Sequence, residues 1–410
     1  MIIEKIYLNL FDGEVINSTG SAELSAEMKT FYYKQLIEMA GPELYHDQFG
    51  QKRNIPRGGG KIIEFRKYSP LPKALTPITE GITPKGQKLN VSTVEARVDQ
   101  YGGYVPVTDV LVVTAIDNNI AEATTILASQ AGRTLDTVTR EVLNGGTNVV
   151  FAGGVQARHQ LNGDSACYLT VDCIKRAVRN LKAMNAQKID GYYCAIINQD
   201  VSFDLTNDPD WKYPHQYVDT KNIYSGEIGM IAGVRFSETS EAKKFVAPDL
   251  WSGGRTLTCD DGYDTPVDYI TITEHIENKI SEAEFDALVG RKITVGNSVA
   301  TVVKADATVI TLDTAIAFKQ GDIIYPGEAG AEGRDVYSTL IFGANAYGVT
   351  EIEGLGLEHI YKPLGSAGAA DPLNLKATCG WKASKTAVRL VEEYMVRIES
   401  TSTFNDHIAN

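Results

Sequence analysis

No stretch of this sequence stays apolar long enough to cross a bilayer. Its longest apolar runs, such as Val110–Val113 and Cys194–Ile197, fall far short of the about 20 residues that a spanning helix needs. The N-terminus, MIIEKIYLNLFDGEV, lacks a basic leader, an apolar core and a small-residue cleavage site, so no secretory signal is expected. Cysteine is sparse: Cys167, Cys173, Cys194, Cys259 and Cys379 are odd in number and scattered, as free buried thiols of a reducing compartment would be. Positive charge is in deficit, with 39 Lys and Arg against 52 Asp and Glu and a formal charge of −13. A dedicated nucleic-acid binder gains its affinity by neutralising phosphates, so this balance excludes that class while leaving room for a local basic face.

Catalytic patterns are missing too. None of His46, His159, His215, His275, His359 and His407 pairs with another His or Cys at metal-ligand spacing. Arg57-Gly58-Gly59-Gly60-Lys61 lacks the spaced first glycine of a phosphate loop, and Ile62 stands where that loop needs Ser or Thr. Gly354-Leu355-Gly356 lacks the third glycine of a dinucleotide site, and no G-x-S-x-G elbow occurs. Asp208 and Asp210 flank Pro209 and read as turn formers rather than paired acids. Asn17-Ser18-Thr19 and Asn90-Val91-Ser92 match the glycosylation pattern, which has no meaning without secretion. No catalytic residue, cofactor or metal site is expected, and the chain is not read as an enzyme.

What is present is architecture. A chain of 410 residues exceeds one ordinary core, so two or three lobes are expected. The segment Gln100–Gly146 organises the rest. An extended β-branched run, Tyr104–Val113, turns over the capping residues Asp117-Asn118-Asn119. Ile116, Ile120, Ala123, Leu127, Ala131, Leu135, Val138 and Val142 then recur at steps of three and four, which predicts one helix of roughly 40 Å. Asn144-Gly145-Gly146 is expected to stop it through glycine in the left-handed conformation.

Before it, Lys61–Tyr68 and Val91–Tyr101 read as the two strands of a long ribbon, with Val94, Ala96 and Val98 on one face and Glu95, Arg97 and Asp99 on the other. Pro70, Pro72, Pro77, Gly81, Pro84 and Gly86 break up its tip. A lone two-stranded ribbon is marginal in water, so it should lie on something else, most simply a second copy of the chain. Lys52, Arg53, Arg57, Lys61, Arg66, Lys67 and Lys73 make its first half basic; this is either a solvated face or an arm that docks on an acidic neighbour. Residues 1–20 read as an arm, followed by a short helix capped by Ser21 and stopped at Gly41-Pro42. Val171, Ile174, Val178, Leu181 and Met184 give a second helix, and Tyr192–Ile197 a buried strand. Residues 200–250 read as loops and short elements. Residues 250–333 change texture to short alternating strands punctuated by Gly and Asp, which suggests an inserted β domain. Val336–Phe342 and Lys385–Ile398 resume the main body, and Ser400–Asn410 is expected to be a loose tail.

Several runs together resemble the major capsid protein family of N4-like tailed bacteriophages. They are Leu75-Thr76-Pro77-Ile78-Thr79-Glu80-Gly81-Ile82-Thr83-Pro84, Gln100-Tyr101-Gly102-Gly103-Tyr104-Val105 leading into Thr108-Asp109, and Phe203-Asp204-Leu205 with Trp211. Gly226-Glu227-Ile228-Gly229-Met230-Ile231-Ala232-Gly233-Val234-Arg235-Phe236, Val336-Tyr337-Ser338-Thr339-Leu340-Ile341-Phe342-Gly343 and Tyr347-Gly348 continue the likeness, which covers most of the chain outside 250–333. The resemblance implies an α+β chain with the Hong Kong 97 phage-type capsid fold. In that fold residues 1–49 form the N-terminal arm with a short helix, and 50–103 an extended β-hairpin loop lying over a neighbouring subunit. Residues 104–249 form the peripheral domain with its spine helix and the first part of the axial domain, 250–333 the inserted small β domain, and 334–410 the remainder of the body and the tail. Arg57, Lys61, Arg66, Lys67, Lys73, Glu80 and Arg97 of the loop then become candidate inter-subunit contacts. The implied function is a major capsid protein that self-assembles as hexamers and pentamers into an icosahedral virion head in the bacterial host cytoplasm. Its expected partners are further copies of itself, portal, scaffold and decoration proteins, and packaged double-stranded DNA in non-specific contact, with no membrane. The short arm leaves no room for a fused scaffolding domain, so a separate scaffold is expected. An encapsulin-type nanocompartment shell is the alternative.

Overall fold

The computed structural model describes residues 45–68, 86–114, 119–215, 229–251, 256–272, 281–296, 298–306, 308–366 and 371–410, with Leu71, Lys73, Leu75, Pro77 and Glu80 of the ribbon tip. The expected arm and short helix before residue 45, most of the tip, the Asp117-Asn118 turn and Gly226–Ile228 lie outside these residues. The chain divides into two compact units. One comprises Lys52–Val138 and Val349–Ala387; the other comprises Tyr45–Gln51, Thr139–Gly348 and Val388–Asn410.

In the first unit, Ile62–Tyr68 and Val91–Arg97 form an antiparallel hairpin with Ile62 opposite Arg97 and Tyr68 opposite Val91. The expected return strand to Tyr101 is too long. Val98 N–H donates to Lys61 O and closes the hairpin, and Asp99–Thr108 then pairs over its whole length with Lys376–Lys385 in a different sheet. Alternation slips by one residue at the change of partner: Val94, Ala96 and Val98 point inward on the hairpin side, Tyr101 and Val105 on the other, and Asp99 and Gln100 between them are both exposed. The strand also ends earlier than Val113: Asp109–Thr114 is helical, and the Thr108 hydroxyl accepts from Leu111 N–H at its start. Gly102 and Gly103 are where they are because the ladder and a helix come close. A Cβ at Gly102 would sit 2.7 Å from Trp381 O, and one at Gly103 2.9 Å from Gln130 Oε1.

The spine helix is Asn119–Asn144, 26 residues. In the first unit its Leu127, Ala131 and Leu135 bury against Cys379, Trp381 and Ala383, with Tyr101 and Val105 packed alongside. Gln130 Oε1 accepts from the Trp381 indole N–H at 3.1 Å, and Lys385 Nζ donates to Leu135 O. Burial of each leucine is worth about 1.5–3 kcal/mol, which explains why the stripe was legible.

The helix's last turns belong to the second unit, and here the simple stripe fails. Thr139, Arg140, Leu143 and Asn144 are all buried, an arc that polar residues complete. The Arg140 guanidinium donates to Glu241 O and Asn410 O, and Asn144 shares a short 2.5 Å hydrogen bond with the Ser338 hydroxyl. The helix stops at Asn144, but not through left-handed glycine: neither Gly145 nor Gly146 has positive φ. Its free carbonyls are taken by cations instead. Arg389 Nη1 donates to Val142 O and Arg397 Nη1 to Asn144 O, placing positive charge at the negative end of the helix. The two glycines are small because Arg389 and Glu392 occupy the space a Cβ would need, at 2.7 and 2.8 Å.

The second unit is built on a seven-stranded mixed sheet in the order Val149–Phe151, Met395–Ser400, Val336–Phe342, Tyr193–Ile197, Val234–Glu238, Gly229–Ile231, with Lys244–Phe245 pairing Val336–Phe342. Val336–Phe342 and Tyr193–Ile197 are buried at every position, the mark of strands covered on both faces. The helix Val171–Ala183 packs Ile174, Ala177, Val178 and Leu181 into this core. The start of the stretch 200–250, expected as loops and short elements, holds two helices, Gln199–Asn207 and Pro209–His215. Asp208 is the turn former between them, accepting from Asp210 N–H and from Val171 N–H at 2.9 Å each.

The segment 250–333 forms an antiparallel six-stranded sheet with its own core around Trp251, Phe285, Leu288, Ile293 and Ile310. Its edge strand Tyr263–Thr271 carries Asp264, Pro266 and Asp268, residues that discourage pairing with a further strand. The end of the chain is not loose. Asp406 pairs with Lys244, His407 N–H and Nδ1 bond Asp335, and Asn410 Nδ2 donates to Ser240 O.

Candidate assembly surface

The hairpin has two unlike faces. Ile63, Phe65, Val94 and Ala96 share the inner one, where Phe65 is 3 % exposed and Arg53 lies over its ring at 5.9 Å. Ile62, Glu64, Arg66, Glu95 and Arg97 share the outer one and are exposed. Glu64 stands directly opposite Glu95, a like-charge pair that destabilises an isolated hairpin, and Arg66 offsets it from 3.5 Å.

The seven sequence-nominated residues scatter along this element. Arg66 and Arg97 share the outer face, Arg97 lying 3.7 Å from Asp99. Lys67 lies on the inner-face register, and Lys61 sits at the base. Arg57 precedes the hairpin with its guanidinium against Gly354, whose φ is +84°. Lys73 and Glu80 are exposed at the tip. Only Arg66 and Arg97 therefore form a common face.

What charge reasoning missed is apolar. Ile62, Leu71, Leu75, Leu89 and Val91 are all exposed along the hairpin and tip, Leu75 at 82 %. In the same unit Leu357, Tyr361 and Leu373 are exposed, Leu373 at 74 %. These exposed aliphatic side chains gain little from the fold of the single chain. The signal was in the sequence: Leu71, Leu75, Leu89 and Leu373 fall in breaker-rich stretches that cannot build a core of their own.

The second unit is held by buried charge. Glu399, fully buried, takes a bidentate pair from Arg158 at 2.7 Å and lies 2.8 Å from Arg397 Nε, while the Arg158 guanidinium stacks 3.4 Å from the Phe245 ring centroid. The Lys244 hydrogen bond holds the Asp406 carboxyl below the usual carboxylate range. Burial pushes the Cys194 thiol up to about 11 and the Cys259 thiol to about 12, so neither is a ready nucleophile. His359 Nε2 and Cys379 Sγ, 20 residues apart in sequence, meet at 3.1 Å, with the Thr124 hydroxyl 3.2 Å from the same sulfur. Among the described residues no cluster of three His, Cys, Asp or Glu could hold a metal.

Set against known proteins, residues 91–271 match the family described as phage capsid protein. The capsid of Ralstonia phage GP4 superposes with a TM-score of 0.57 at 11 % identity, over 97 % of this chain and 100 % of that one. The capsid of Cyanophage P-SCSP1u gives 0.53 at 9 % identity, over 96 % and 92 %. This chain has a phage-capsid fold. The head of Helicobacter pylori bacteriophage KHP40 agrees, with a TM-score of 0.51 at 11 % identity over 95 % and 98 %. No curated protein sequence matches. The exposed leucines of the hairpin unit thus belong to a fold that, in these relatives, builds a shell.

Proposed function

We propose that the chain is the major capsid protein of a tailed double-stranded DNA bacteriophage, self-assembling into the icosahedral head of the virion. The observation that carries this is the agreement with phage capsids along nearly the whole chain, from single-chain fold to matched family segment. A shell protein needs several modest interfaces that closure multiplies, and the exposed apolar groups of the hairpin unit supply surface for them. The finer reading is a Hong Kong 97-type subunit of the N4-like kind, with the hairpin as the extended loop over a neighbour and residues 250–333 as an inserted domain. Hexamers and pentamers of the chain, a portal, a scaffold, decoration proteins and non-specific contact with packaged DNA complete that reading.

The test replaces residues 69–90 by an Asn-Gly turn, which can close the Tyr68–Val91 pair without strain. The expected product is a folded subunit that yields no stable shells in negative-stain micrographs. Normal shells from this variant would overturn the loop assignment. A wild-type chain that forms neither rings nor shells, alone or with its scaffold, would overturn the capsid reading.

A further inference from the structure

Resting on the capsid reading, we infer that the outer face of the helix Val171–Ala183 is the surface that touches the packaged genome, gripping the phosphates of duplex DNA weakly and without sequence preference. The chain as a whole is acidic, yet this helix places Lys175, Arg176, Arg179 and Lys182 on its exposed side, while Ile174, Ala177, Val178 and Leu181 hold the opposite side in the core. The acidity lies elsewhere. Residues 250–333 contain fourteen Asp and Glu against six Lys and Arg, a net −8 of the chain's −13.

Lys175, Arg179 and Lys182 follow at steps of four and three, so they form one stripe along the axis. At 1.5 Å per residue it extends about 10 Å, the length of about three phosphates along one strand of a duplex. Beside it lies an open depression of about 440 Å³ lined by Val150, Lys175, Arg176, Arg179 and Asn180, whose polar side chains are donors. The present partners are weak competitors. Lys175 pairs with Asp210 at 3.2 Å and Arg176 with Asp172 at 2.8 Å, both pairs more than half exposed and so worth little in water. Guanidinium forks suit carboxylate and phosphate oxygens alike, so it is the match of the stripe to the regular phosphate spacing of a duplex that favours nucleic acid over an acidic polypeptide. Glu392 and Glu393 line the next depression, of about 430 Å³, and limit the surface on that side. A short stripe on an acidic protein gives contact that ends readily, as release of a genome requires.

The experiment measures binding of a short labelled random duplex by fluorescence anisotropy between about 50 and 200 mM salt, for the unassembled wild-type subunit and for the triple variant Lys175→Ala, Arg179→Ala, Lys182→Ala. Each lost phosphate contact lowers the slope of log K against log salt by about 0.9, so the variant should lose about 2.7 from the wild-type slope. The control Lys61→Ala, Arg66→Ala should keep it. An unchanged slope in the triple variant, an equal loss in the control, or polyglutamate binding in place of DNA would each overturn the inference. Negative-stain microscopy separates the two readings: a chain that forms shells but whose unassembled subunit shows no salt-dependent DNA binding sinks this surface alone, and a chain that forms neither rings nor shells, alone or with its scaffold, sinks the capsid assignment and this inference with it.

Discussion

Leucine 75 offers the sharpest test of assembly. Its side chain is 82 % exposed in the subunit, so it contributes almost nothing to the fold of a single chain. If a neighbouring copy covers it, burial of that leucine is worth about 2 kcal/mol per contact. Replacing it by serine removes that gain, and about 2 kcal/mol is about a 30-fold change in an association constant. Leu75→Ser should therefore raise the minimum subunit concentration for shell formation about 30-fold, read by light scattering across a dilution series. The melting temperature of the unassembled subunit should stay unchanged, as expected for an exposed site. Leu75→Met, similar in volume, should assemble as the wild type does. An unchanged threshold in Leu75→Ser would refute the argument that exposed apolar surface on this unit is interface. A lowered subunit melting temperature would show that the residue serves the fold instead.

Other perturbations act on the fold. Glu399→Gln leaves Arg397 buried with its carboxylate partner gone; the expected loss is about 3 kcal/mol, seen as an earlier urea midpoint followed by tryptophan fluorescence. Adding Arg158→Met to it should cost less than the sum of the two single changes, because they share one network. Gly102→Ala forces a Cβ to within 2.7 Å of Trp381 O, a backbone atom, and should cost about 1–3 kcal/mol, whereas Gly103→Ala makes its close contact with the end of the Gln130 side chain, the Trp381 indole nitrogen lying at an ordinary 3.4 Å, and should cost less. For Asp406 the folded carboxyl titrates below the unfolded value of 3.8, chiefly because Lys244 bonds the charged form. Its contribution is thus present above about pH 4 and lost as pH falls through the folded value. Subunit stability should drop on that acid limb, and Asp406→Asn should flatten it in a pH series of thermal melts.

The sequence determined the elements whose cause is local. Helical spacing of Leu127, Ala131 and Leu135 fixed a buried stripe, the apolar run at Tyr193–Ile197 fixed a covered strand, and Gly and Asp punctuation marked residues 250–333 as a separate β region. Only the tertiary structure decided what depends on partners far along the chain. The ribbon's alternation slips by one residue at Asp99-Gln100, but a slip in phase cannot say that the new partner is Lys376–Lys385, far along the chain. The glycines after the spine helix looked like a left-handed stop, yet they make room for Arg389 and Glu392, which are more than 240 residues away in sequence. The tail looked loose because its residues are polar, and it is held because Lys244, Asp335 and Ser240 meet those polar groups. Local periodicity reports which side of an element is buried, as it does for the basic face of Val171–Ala183; which residue lies against the buried side is set by long-range packing, and that is where the caps and the buried charges were decided.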